Sequence, residues 1–141
     1  MHSSWICIDA NLVVRLVADP ADTVVRKQWE RWDADRRQWA APTLLYYEVT
    51  NALYRYQTAG LLAAPSAQLA LRAALALPIR LYGEAEIHQR AVRMAERFSL
   101  PAAYDAHYLA LAEWLGGELW TADGRLFQKV KHLLPWAHLL A

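Results

Sequence analysis

The apolar positions of the chain fall into short runs and helical stripes that alternate from end to end. Trp5, Ile6, Cys7 and Ile8 form a run that reads as a buried strand, and the pattern resumes as a short helix over about 11–18, closed by Ala18, Asp19 and Pro20. Val24, Val25, Trp29 and Trp32 recur at helical spacing and predict a second helix over 21–36. "QWAAP" is extended, and Thr43 is a candidate N-cap for a helix that ends at Gly60. Pro65 and Ser66 open another helix that Pro78 stops, and "IRLY" is a second clear strand. Ile87, Ala91, Met94 and Phe98 share one stripe of an amphipathic helix. Pro101 suits the first turn of a helix over "AAYDAHYLALAEWL", which ends at a glycine pair. "ELWTAD" then predicts a strand, "GRLFQKVKHL" a helix and "WAHLL" a last strand. Strands that alternate with helices or helix pairs predict an α/β fold with a mainly parallel sheet covered on both faces. Neither linkers nor repeats interrupt it, so residues 1–141 are expected to form one domain.

Four of the 14 acidic residues break this pattern. Asp9 ends the first strand. Glu48 is the sole charge in several apolar turns, with Leu44, Leu45, Asn51 and Ala52 as its helix neighbours. Asp105 is the sole acid at the start of an apolar helix, and Asp123 closes "ELWTAD". Each has a plain alternative. Asp9 can cap the next helix, Asp105 can answer the helix dipole, and Asp123 before Gly124 can be a turn residue. In parallel α/β sheets, however, sites form at the carboxyl ends of strands, which is where Asp9 and Asp123 fall and which Glu48 follows closely. The pattern does not fix the position of Asp105.

Like charges about 4 Å apart repel by roughly 4 kcal/mol at an effective dielectric near 20, so four converging carboxylates either take up protons or bind a hard divalent cation. All-oxygen donors without cysteine or paired histidines favour Mg²⁺ or Mn²⁺ over zinc. Such a cation beside basic residues suits phosphodiester hydrolysis.

Composition refines this expectation slightly. Hydrophobic residues make up 56% of the chain, enough for a core and an apolar interface as well. No apolar run approaches the roughly 18 residues of a membrane span, and Asp9 interrupts any leader-like segment. The lone Cys7 excludes an internal disulfide or a cysteine metal site. The expectation is therefore a cytoplasmic protein without membrane contact. The net charge is +1, but Arg26, Lys27, Arg31, Arg36 and Arg37 cluster among Trp29, Trp32 and Trp39. That mixture fits base stacking, a protein interface or a solvated helix face.

Taken in order, "ICIDAN", "YYEVTNAL", "YDAHYLALAE" and "LWTAD" resemble the PIN-domain ribonucleases, and within them the VapC toxins of bacterial toxin–antitoxin pairs. The resemblance covers essentially the whole chain, and the last two motifs with their spacing are its most specific part. It implies a three-layer α/β/α sandwich around a sheet of about five strands and a metal-dependent endoribonuclease. By motif, the family's acidic quartet falls on Asp9, Glu48, Asp105 and Asp123 as catalytic metal ligands for Mg²⁺, with Mn²⁺ as an alternative. Asn11 and Thr121 match positions that orient these acids by hydrogen bonds. The implied partners are an RNA substrate, a cognate antitoxin and a second copy of the chain. Many relatives carry Thr or Ser between the first Asp and Asn, where this chain has Ala10.

Arg55 and Arg125 are candidate phosphate contacts or plain surface arginines, and His107 reads as a packed or hydrogen-bonded histidine. Two other readings keep the fold: a PIN nuclease of RNA maturation without an antitoxin, and a non-catalytic RNA- or protein-binding domain. A haloacid-dehalogenase-type enzyme needs a second Asp where this chain has Asn11. A receiver domain needs an acidic pair that this chain lacks.

Overall fold

The structure, a computed structural model, describes residues 4–141. The apolar run at the start forms strand β1 (Trp5–Ile8), and every further strand is placed relative to it. Helices α1 (Ala10–Ala18) and α2 (Thr23–Ala34) lead to β2 (Gln38–Pro42), which pairs with β1 in parallel. Helices α3 (Leu45–Thr58) and α4 (Ala64–Leu75) lead to β3 (Ile79–Tyr82) on the outer side of β2. The chain then crosses over through α5 (Ala85–Arg97) and α6 (Tyr104–Leu115) to β4 (Glu118–Thr121), on the opposite side of β1. Helix α7 (Gly124–Val130) and β5 (Ala137–Leu139) complete a five-stranded parallel sheet of order β3-β2-β1-β4-β5.

Ile6, Cys7 and Ile8 are all buried although successive side chains point to opposite faces. Both faces of the sheet are therefore covered. Helix α6 lies on β1, β2 and β4 with α5 packed against it, while α1, α3 and α4 pack together as the other helical layer. The predicted stripe Ile87, Ala91, Met94 and Phe98 is buried as a unit. Strand order reverses between β1 and β4, so the sheet has its switch point there, where a crevice opens at the carboxyl ends of the strands.

Two predicted helix starts are corrected. Thr43 does not cap α3: its amide donates to the Tyr82 carbonyl at 3.0 Å, continuing the β2–β3 ladder, and the helix begins beyond it with Leu44 at the cap position. Pro101 does not sit in the first turn of α6. The amides of Ser99 and Leu100 bond back to Glu96 and Ala95, with Ser99 in the left-handed region, and this finishes α5. Residues 101–103 then bend before α6 starts at Tyr104.

The turn from α6 into β4 depends on glycine. Gly116 takes a left-handed φ of 63°, and a Cβ on Gly117 would stand 2.7 Å from the Trp5 carbonyl oxygen. We expect Gly117→Ala to destabilise the domain by about 1–3 kcal/mol in urea unfolding. Gly124→Ala, which meets no atom within 4 Å at the start of α7, should be neutral or stabilising by up to about 1 kcal/mol.

Candidate active site

The Asp9 amide is still in the sheet ladder, donating to the Trp120 carbonyl at 3.0 Å, while its side chain has already turned to cap α1. One carboxyl oxygen accepts the Ala10 amide at 2.7 Å; the other accepts the Thr121 hydroxyl at 2.8 Å and the Asn11 amide at 3.4 Å. Capping and membership of a polar cluster thus coexist at this residue. Asp9 is only 4% exposed. Burial pushes its carboxyl up to about 7, the charges of Asp105 and Glu48 add to the rise, and the bonds from Thr121 and Ala10 oppose it.

Asn11 and Thr121 join the two strand ends across the switch point. Asn11 donates to Thr121 at 3.3 Å and accepts the Ala122 amide at 3.0 Å, and the Thr121 hydroxyl also accepts the Asp123 amide at 2.9 Å. Asp123 is the N-cap of α7, where one of its oxygens accepts the Arg125 and Leu126 amides. Glu48, in the first turn of α3, accepts the Tyr108 hydroxyl at 2.6 Å. Its carboxyl is raised by burial and by Asp105, against the Tyr108 bond and the nearby His107. Asp105 lies half-buried in the first turn of α6, raised by burial and by the charge of Asp123. The fold therefore brings all four acids to the carboxyl edge of the sheet, where their charges act on one another. No Lys or Arg side chain forms an ion pair with any of them among the described residues.

Two contributors escaped the sequence. Tyr108 is fully buried on α6 one turn after Asp105, and its hydroxyl orients Glu48. The available signal was a tyrosine inside an apolar helix, since a buried phenol needs a polar partner. His88 is the second: it meets His107 at 2.9 Å. His107 itself is hydrogen-bonded to the Ala103 carbonyl at 2.7 Å. Arg125 is exposed beside Asp123, while Arg55 lies in the last turn of α3, two turns from Glu48 and away from the cluster.

The tryptophans of the basic stretch are engaged in packing within the fold. Trp29 stacks on Trp39 with centroids 4.2 Å apart, and Trp32 is buried against Trp120. Arg37 pairs with Glu118 at 3.2 Å, where β2 and β4 begin, at the opposite edge of the sheet from the acids.

The family model for the PIN domain matches residues 6–133. The chain belongs to the PIN domain family. Ribonuclease VapC3 of Pyrobaculum aerophilum is 31% identical to this PIN domain over 110 residues, spanning 77% of the chain and 83% of that protein. The crystal structure of PAE2754 from Pyrobaculum aerophilum superposes with a TM-score of 0.71 at 24% identity, covering 96% of this chain and 88% of that one. A toxin–antitoxin complex from Klebsiella pneumoniae gives a TM-score of 0.71 at 19% identity, over 96% and 98% of the two chains. The VapC3 relative puts this PIN domain with the VapC ribonucleases, and the two structures show that the fold is shared.

The donor chemistry of this PIN domain fits a hard divalent cation: four carboxylates, one of them deeply buried, with mutual repulsion and, among the described residues, no Lys or Arg side chain paired to them. As the side chains stand, no three His, Cys, Asp or Glu residues among those described meet at coordinating distance. A cation such as Mg²⁺ can be held by one or two carboxylates with waters completing its shell.

The raised Asp9 carboxyl has a defined effect on stability. The native state keeps this proton up to about pH 7, whereas the unfolded chain releases it near 3.8. Stability therefore falls as pH rises between those values. We expect the metal-free protein to melt at least about 4 °C lower at pH 8 than at pH 5, roughly 1 kcal/mol for a domain of this size. In Asp9→Asn that slope should flatten. Thermal melts in chelator check this, and a wild-type melting point that rises from pH 5 to pH 8 would contradict it.

Proposed function

We propose that the protein is a Mg²⁺-dependent endoribonuclease that acts as the toxin of a toxin–antitoxin pair. The observation that carries this reading is the cluster of Asp9, Glu48, Asp105 and Asp123 at the sheet switch point, with Asp9 buried and, among the described residues, no Lys or Arg side chain paired to it. The ribonuclease relative supports RNA as the substrate.

Asp9 and Asp105 would hold the cation, with Asp123 beside them and Glu48 completing the set. When bound, Mg²⁺ or Mn²⁺ supplies Lewis acidity for water attack on a phosphodiester and offsets charge at the phosphorus. The protein's own contribution is orientation. Thr121 and Asn11 hold the inner oxygen of Asp9, Tyr108 holds Glu48, and the α7 amides hold Asp123. Beyond Asp123 a broad concavity of about 990 Å³ is lined by Gly124, Arg125, Gln128 and Lys129. Its two cations suit the phosphates of a single strand that leads to the cluster.

The same reading includes a cognate antitoxin and a second copy of the chain as partners, with the protein acting in the cytoplasm. Tyr54, Leu61, Leu69 and Leu75 on α3, α4 and the turn between them are each more than half exposed. Such apolar surface fits a protein partner with an amphipathic segment. No helix among the described residues is long and apolar enough to cross a membrane.

The purified protein should cleave single-stranded RNA with Mg²⁺ or Mn²⁺ and stop in chelator. Asp9→Asn and Asp105→Asn should each lose at least about 10²-fold in kcat/KM, comparable to removing a principal charge-stabilising group. Thr121→Val should lose about 10- to 100-fold, as expected when a residue that orients a ligand is removed. An Asp9→Asn variant that cleaves as well as wild type would refute the assignment and favour a non-catalytic binding domain. Arg125→Ala should raise KM and reduce the salt dependence of KM, leaving kcat nearly unchanged.

A further inference from the structure

A second, smaller cavity lies on the other flank of the acids, away from Arg125. It measures about 230 Å³ and is floored by Leu44, Tyr82 and Ile87, with Tyr47, Tyr104 and His88 among its walls. Tyr47 and Tyr104 directly precede Glu48 and Asp105 in sequence, so each shares a first helical turn with a carboxylate of the cluster. They are 77% and 64% exposed, whereas the tryptophans near the sheet are mostly consumed by stacking inside the fold. These two exposed phenol rings stand beside the carboxylates, and each forgoes the burial of a large ring.

One wall is a pair of linked histidines. A carbonyl only accepts hydrogen bonds, so His107 Nδ1 donates to Ala103. His107 Nε2 and His88 Nδ1 then meet at 2.9 Å, with the donor set by the tautomer. This contact holds the His88 ring at the wall and leaves its Nε2 free of that contact as a polar edge. Apolar floor, aromatic sides and one fixed polar edge match the face and edge of a nucleobase. The cavity is smaller than the roughly 300–1,000 Å³ of pockets for drug-sized ligands, which suits one ring system and not a stacked run.

We propose that this cavity holds one unpaired nucleobase of the RNA, adjacent to the phosphodiester at the carboxylates. The proposal rests on the nuclease reading and adds a direction to it. The strand crosses the cluster with phosphates on the Arg125 and Lys129 flank and one base in the Tyr47–Tyr104 flank. Tyr104 and His88 are then specificity-determining residues.

The test uses the full chain with Mg²⁺ and short single-stranded oligoribonucleotides whose cleavage position has been mapped. An abasic nucleotide is placed in turn at each position flanking the scissile bond. One abasic position should lower wild-type kcat/KM by about 10- to 100-fold, the range that base–aromatic stacking supplies. Tyr104→Ala should lose a similar factor on intact RNA and become insensitive to that abasic position, while Tyr104→Phe should stay within about 3-fold of wild type, because the ring and not the hydroxyl stacks. Melting curves confirm that the variants fold, and light scattering follows their oligomeric state. If Tyr104→Ala and Tyr47→Ala cleave intact RNA like wild type, or retain the abasic penalty, the base pocket is wrong and the nuclease reading stands. A loss of cleavage that is independent of the base and accompanies a changed oligomeric state assigns the cavity to a second copy and overturns the proposal. If the wild type cleaves no RNA with either cation, the nuclease reading fails and the pocket assignment falls with it.

Discussion

Asp9 stands where the central strand stops and the first helix starts, and almost none of it reaches water. A buried carboxylate costs several kcal/mol unless something compensates its charge. The Thr121 hydroxyl and the Ala10 amide supply part of that compensation, but the charges of Glu48 and Asp105 work against it. Much of the architecture near the site serves to maintain this placement. The parallel pairing of β1 with β4 puts Thr121 within reach, Asn11 ties the start of α1 to Ala122, and Tyr108 keeps Glu48 pointed at the edge of the sheet. A domain of marginal net stability retains such a group where it has a use, and the use proposed is to hold a divalent cation.

The two flanks of the cluster differ in chemistry. On the β4 side, Arg125 and Lys129 line an open, charged concavity; on the β3 side, Tyr47, Tyr104 and His88 line a smaller, more recessed one. A polynucleotide has the same division in each residue, with phosphate on one side and base on the other. The asymmetry of the fold arises because a single helix follows β4 while a helix pair and the edge strand β3 surround the other flank.

Much of this was legible in the sequence, for reasons that can be given residue by residue. The run Trp5–Ile8 and the stripe from Ile87 to Phe98 report burial directly, so the strands, the helices and their alternation emerged from periodicity. Asp9 and Asp123 stood out because they end buried strands, and Glu48 because a lone charge in an apolar helix is costly. Asp105 stood out as the sole acid at the start of an apolar helix, but its place beside the others came from the family resemblance alone, since two helices precede β4 and spacing cannot say where the second one begins. Helix starts were the weak point: the Thr43 amide is engaged by β3, a long-range partner that no local signal shows, and the closure of α5 at Ser99 used a left-handed residue other than glycine. The tryptophans were ambiguous for the same reason, since Trp29 and Trp39 are distant in sequence and only the fold stacks them. The partnership of Tyr108 with Glu48 likewise needs α3 and α6 in place before it can be seen.

Under the proposed function, Asp9 is a carboxylate held ready for a cation. Its side-chain carboxyl can be followed by carbon NMR through a pH titration, with and without Mg²⁺. The expected metal-free midpoint is near 7, falling by more than about one pH unit when Mg²⁺ is added, because a bound cation favours the charged form. A midpoint in the ordinary carboxylate range without metal, or one that Mg²⁺ leaves unmoved, would contradict it.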